Sequence, residues 1–230
     1  MRHRVIASTV IDAVKGDSGL YEPCLRLAIA LGPLYSLASI RARTLIHRVV
    51  AQLLDCDLIY GWLGARATHW YDSIDDLYNW NARYWEQRAL FELKLNHRQA
   101  ARSSFAEKAL LIQRHPFTLN THATVLTRIG LDMVEARESG GEEVFWEGIA
   151  SLRDSRGLGD GHREHPYITF FTRALELARL QGTANDDRQK LIREWNRWVT
   201  KAQDAPVFKH ATNFNRLRGY IEDWLRLAVR

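Results

Sequence analysis

Cysteine, proline and long apolar runs are all scarce in this 230-residue chain, and each scarcity excludes something. The two cysteines, Cys24 and Cys56, form no CxxC pair. A disulfide framework or a cysteine-based metal site therefore has nothing to build on, and two reduced, buried thiols are expected. The longest charge-free run in the N-terminal segment, Leu27–Ile40, covers 14 residues and contains Gly32-Pro33. It is too short and too broken to span a bilayer. Asp12, Lys15 and Asp17 interrupt the place where the apolar region of a signal peptide would lie, so a cytoplasmic protein with no membrane association is expected. Five prolines and 14 glycines leave few breakers, and no segment alternates with period two. No sheet is expected.

What remains is a helical composition with 46% hydrophobic residues and eight tryptophans. A packed core is within reach and wholesale disorder is excluded. The formal charge of +5 is uneven: +4 over residues 1–50, −4 over 51–186 and +5 over 187–230. Basic ends suit nucleic acid or acidic docking partners, although Arg-rich solvated helix faces account for the same numbers.

Apolar residues recur at helical spacing along the chain. Helices are expected over Arg2–Lys15, over Leu20–Leu31 ended by Gly32-Pro33, and over Ser39–Cys56 with Val49, Val50, Leu53 and Leu54 in the stripe. Shorter pieces fall at Leu58–Leu63 and Asp72–Tyr78. Asn81–Leu95 and Arg98–Gln113, joined by Asn96-His97, read as an αα-hairpin. Phe117–Glu138, Glu142–Asp154 and Tyr167–Leu180 follow. The next helix, capped by Asp186 or Asp187, carries Leu191, Trp195 and Trp198, and a last one carries Phe214 to Ala228. The expected division is an N-terminal helical segment at 1–78 and a repeat array at 79–230.

Helix pairs of this length call for a test against the tetratricopeptide pattern. Trp85 fits the anchoring aromatic, Ala89 and Ala101 the small positions, and Phe105 the large one. Ala109 then arrives one residue late and Pro116 three residues late. The fold class expected is all-α, an αα-hairpin solenoid of degenerate, TPR-like repeats. Arg83 and Glu86 would project towards its concave face as protein-binding residues.

Three strings carry a family likeness: Arg2-His3-Arg4-Val5-Ile6-Ala7, Trp80-Asn81-Ala82-Arg83-Tyr84-Trp85-Glu86-Gln87-Arg88-Ala89-Leu90, and His115-Pro116-Phe117-Thr118-Leu119-Asn120-Thr121. Over about residues 2–126 the chain resembles the C-terminal tetratricopeptide-like region of bacterial STAND-type NTPases, signalling ATPases that include antiphage defence proteins. The resemblance implies a sensor that recognises a foreign protein and controls a partner activity. No GxxxxGK[ST] occurs, and Lys15-Gly16-Asp17-Ser18-Gly19 has its lysine on the wrong side of the glycines, so nucleotide hydrolysis is not implied for this chain. An ATPase or effector subunit is the protein partner expected.

Three chemical constellations compete with plainer readings. His162-Arg163-Glu164-His165 beside the glycine-rich loop at 156–161 lacks a third metal ligand, and a solvated loop outweighs it. Arg41 and His47 match the spacing of helical HEPN-type ribonucleases. Six helical positions turn about 600°, though, which leaves the two side chains about 120° apart. Trp80, Tyr84, Trp85, Trp195 and Trp198 could stack on single-stranded nucleic acid, but such spacing more often marks core. No catalytic residue, metal ligand or cofactor is assigned.

Overall fold

The computed structural model describes residues 18–37, 47, 49–157, 164–181, 185–203 and 219. Among them every regular element is a helix and no strand occurs. The segments Arg2–Lys15 and Phe214–Ala228, the loop 158–163 and residue Arg41 lie outside the described residues.

The chain divides into two compact units, residues 1–113 and 114–230. The division expected at 78/79 instead falls inside the first unit. Trp70, Tyr71, Ile74 and Tyr78 on one side of it share a core with Tyr84, Trp85 and Phe91 on the other.

In the first unit, a 3-10 turn leads into α1 (Tyr21–Leu37). This helix does not stop at Gly32-Pro33 but runs through it, with Pro33 inside. Tertiary contact overrides the breaker. A Cβ on Gly32 would lie 3.3 Å from Leu77 Cβ and 3.5 Å from the Tyr78 ring, and Tyr78 Oη donates to the Ala28 carbonyl at 2.8 Å. Residues 49–54 are helical and end at Asp55, whose carboxylate accepts from the Asp57 and Leu58 amides and caps α2 (Cys56–Leu63). Cys56 thus opens a helix rather than closing the preceding one. Gly64, at φ +58, breaks α2 where left-handed backbone favours glycine. α3 (Ala67–Tyr78) begins five residues earlier than Asp72, and its Tyr71 hydroxyl donates to the Leu54 carbonyl.

Asn81 accepts from the Arg83 amide at 2.9 Å and caps α4 (Ala82–Lys94). Asn96, at φ 61, turns the chain back. The returning helix passes through a π-helical stretch, Ala100–Ala106, before α5 (Glu107–Ile112). A π turn holds one more residue than an α turn. That accounts for the late Ala109, which is buried in spite of its spacing. Trp85 stacks on Phe105 at 5.7 Å and 10° between planes, and Ala89 and Ala101 are fully buried.

In the second unit, His115 caps α6 (Pro116–Glu135), with Pro116 in the first turn where its missing N–H costs nothing. α7 (Gly141–Gly157) packs antiparallel on α6 at unusually close range. A Cβ on Gly130 would lie 2.6 Å from the Phe145 amide nitrogen, and one on Gly148 would lie 2.7 Å from Thr127 Cγ2. α8 (Glu164–Gln181) and α9 (Asn185–Gln203) complete this core. Phe170 stacks on Trp198 at 4.6 Å and Phe171 meets Trp195 edge-on at 4.5 Å.

Candidate functional site

α4 carries an unusual load of buried polar side chains: Glu86, Gln87, Arg88 and Glu92 all lie within the core. Each has a defined partner. Gln87 Oε1 accepts from the Cys56 amide at 2.9 Å and ties α4 to the start of α2. Arg88 pairs with Asp72 at 2.8 Å and with Glu92 at 3.0 Å, while its guanidinium lies over the rings of Tyr71 and Phe105. The second oxygen of Glu92 meets His97 Nδ1 at 2.7 Å. Tyr84 Oη lies 2.9 Å from Asp75 Oδ1, and burial together with that carboxylate pushes the phenol far up, so it stays a donor. This is a closed ion and hydrogen-bond cluster that fixes α4 against α2 and α3.

Arg83 and Glu86 are brought together within this cluster, 3.0 Å apart. The Glu86 side chain is only 4% exposed, against 43% for Arg83. Glu86 therefore holds Arg83 rather than meeting a ligand directly, and only Arg83 presents a surface group. Sequence reading named this pair but missed Arg88, Glu92 and Gln87. The i,i+4 spacing of Arg88 and Glu92 signals a helix, while their burial depends on residues far away in the chain.

Of the aromatic residues considered as stacking platforms, Tyr84, Trp85, Trp195 and Trp198 are buried. Trp80 differs. It is 43% exposed and stacks on Tyr35 at 5.5 Å, which in turn stacks on His47 at 5.8 Å. His47 Nδ1 is 2.8 Å from Tyr35 Oη.

Nucleophilic chemistry finds no footing at the thiols. Burial, then the neighbouring Asp57, pushes Cys56 up to about 12, and burial raises Cys24 as well, so both stay protonated near neutral pH. Among the described residues no group of three His, Cys, Asp or Glu is arranged to hold a metal ion. No helix of the described residues is long and apolar enough to cross a membrane.

The second unit contains an open groove of about 220 Å³ between α6 and α8. α6 supplies Arg128, Leu131, Asp132 and Glu135, and α8 supplies Glu176, Arg179 and Leu180. The two helices run in the same direction. Near their starts Thr169 Oγ1 donates to Asn120 Oδ1 at 3.1 Å, and near their ends they share the groove. Arg128 pairs with Asp132 at 3.0 Å, and Arg173 holds Glu176 from the side at 2.6 Å. No signal in the sequence marks this groove, because its two walls are more than 40 residues apart in the chain.

No protein-family model, curated protein or solved structure matches the chain.

Proposed function

We propose that this chain is a non-catalytic interaction module, a sensor or scaffold that docks a protein partner. The observation that carries the reading is the open groove between the same-direction helices α6 and α8, lined by charged side chains over two leucines. Grooves between successive helices of this kind grip side chains of a partner, with polar groups setting specificity. The closed cluster on α4 and the protonated thiols agree with binding rather than chemistry. On this reading the helix pairs continue as a degenerate, TPR-like solenoid. The resemblance of residues 2–126 to the helical array of STAND-type NTPases suggests the setting: a cytoplasmic bacterial antiphage defence or signalling complex. An ATPase or effector would then be the partner subunit.

The test is capture from the native host with the tagged full chain, followed by co-elution of the purified candidate on size-exclusion chromatography. A stoichiometric complex with an ATPase or effector is the expected result. A chain that elutes alone with every captured candidate would end this reading.

A second reading rests on the exposed Trp80–Tyr35–His47 stack and the basic ends: association with single-stranded nucleic acid. Phosphate contacts would make log affinity fall linearly with log salt. Trp80→Ala should then weaken binding of an RNA oligomer at every salt concentration. RNA affinity that ignores both salt and Trp80 would remove it.

A further inference from the structure

The groove between α6 and α8 has an electrostatic direction. Because the helices run the same way, their C-terminal carbonyls end side by side, each end carrying roughly half a negative charge. α6 has no basic side chain in its last turn to offset this and closes on Glu135. Asp132, Glu135 and Glu176 line the same space, against Arg128 and Arg179. Arg128 is already engaged by Asp132, and Glu135 has no ion-pair partner among the described residues.

Size and lining narrow the occupant. About 220 Å³ is below the roughly 300–1,000 Å³ of sites that enclose a whole drug-sized ligand. It suits one long side chain. Leu131 forms an apolar surface in the groove and Leu180, 39% exposed, a second. A lysine or arginine lays its methylenes on such surfaces and sends its charged head to the carboxylates.

We propose that this groove seats a lysine or arginine side chain from a cationic segment of the partner protein, with Glu135 as its principal acceptor. The proposal rests on the interaction reading above and names the partner chemistry for it. Arg179 works against this occupant, which supplies a variant of opposite sign.

The probe is a labelled alanine peptide carrying spaced lysines and arginines, titrated against the full chain by fluorescence anisotropy at fixed salt. A glutamate-bearing counterpart serves as control. Loss of one charge-assisted hydrogen bond by Glu135→Gln should weaken binding about tenfold. Arg179→Gln should strengthen it by about threefold. Glu143→Gln, on α7 away from the groove, should leave affinity unchanged, and circular dichroism confirms that each variant is folded. Equal effects of Glu135→Gln and Glu143→Gln overturn the proposal, as does equal binding of the glutamate peptide. RNA binding that is lost in Arg128→Gln but untouched in Glu135→Gln also overturns it. A wild-type chain that ignores the cationic peptide yet still forms its partner complex fails the groove assignment alone. The interaction reading falls only if no complex forms.

Discussion

Arg88 joins more of the first unit than any other charged residue described, through Asp72, Glu92 and two aromatic rings. Removing one member of a buried pair strands the other, at a cost of about 3–5 kcal/mol. Arg88→Met should lower the urea midpoint accordingly. The double variant Arg88→Met with Glu92→Leu should recover much of the loss, since no charge then remains buried and unpaired. Equal destabilisation by the single and double variants would refute this account. Glu194 offers a pH test in the second unit. Burial alone would raise its carboxyl, but donation from Arg153 and Trp198, with the charges of Arg153 and Arg197, outweighs burial and holds it below the usual 4.5. A carboxyl depressed on folding stabilises above its unfolded value and loses that contribution as pH falls through its folded value. Wild type should therefore be more stable than Glu194→Gln at pH 7, and the gap should close below 4.5 in denaturant titrations. A gap that persists unchanged in acid would contradict it.

The closest helix packing in the second unit depends on glycine at a few positions of the α6–α7 hairpin. At Gly130 a methyl group would meet backbone atoms of Phe145 at 2.6 and 2.8 Å, and backbone cannot yield as a flexible side chain can. Gly130→Ala should cost about 1–3 kcal/mol through overpacking, beyond any gain in helix propensity. Gly61, inside α2, has nothing within 4 Å of a built Cβ, and Gly61→Ala should gain about 0.5–1 kcal/mol. Thermal melts of the two variants should move in opposite directions. At this scale much was legible. Periodicity located the helices at 82–94 and 116–135, and Asn96 and His115-Pro116 marked their boundaries. The helix through Pro33 was not legible, because its reason lies in the approach of Leu77 and Tyr78 from 44 and more residues away. The π-helical stretch left one trace, the late Ala109, which spacing alone reads as a poor repeat. The groove left none, since neither α6 nor α8 has an unusual pattern until they lie side by side.

At the scale of the whole chain, the boundary at 113/114 makes a prediction that the boundary at 78/79 does not. Each unit has its own apolar cluster: Trp70, Tyr71, Tyr84, Trp85 and Phe91 in the first, Phe145, Phe170, Phe171, Trp195 and Trp198 in the second. Burying a large apolar side chain contributes about 1.5–3 kcal/mol, so a cut through either cluster removes far more than the few kcal/mol of net stability a domain holds. A fragment covering 79–230 would keep Tyr84, Trp85 and Phe91 while losing the Trp70, Tyr71 and Ile74 side of their core. It should aggregate or expose apolar surface, and dye binding would report that. A fragment covering 114–230 keeps its cluster whole. It should retain a helical dichroism spectrum and a cooperative denaturant transition followed by Trp195 and Trp198 fluorescence. Retention of that transition would also let the cationic peptide be titrated against the groove without the first unit. If instead 79–230 unfolds cooperatively and 114–230 does not, the second cluster depends on residues before 114, and the two-unit description fails.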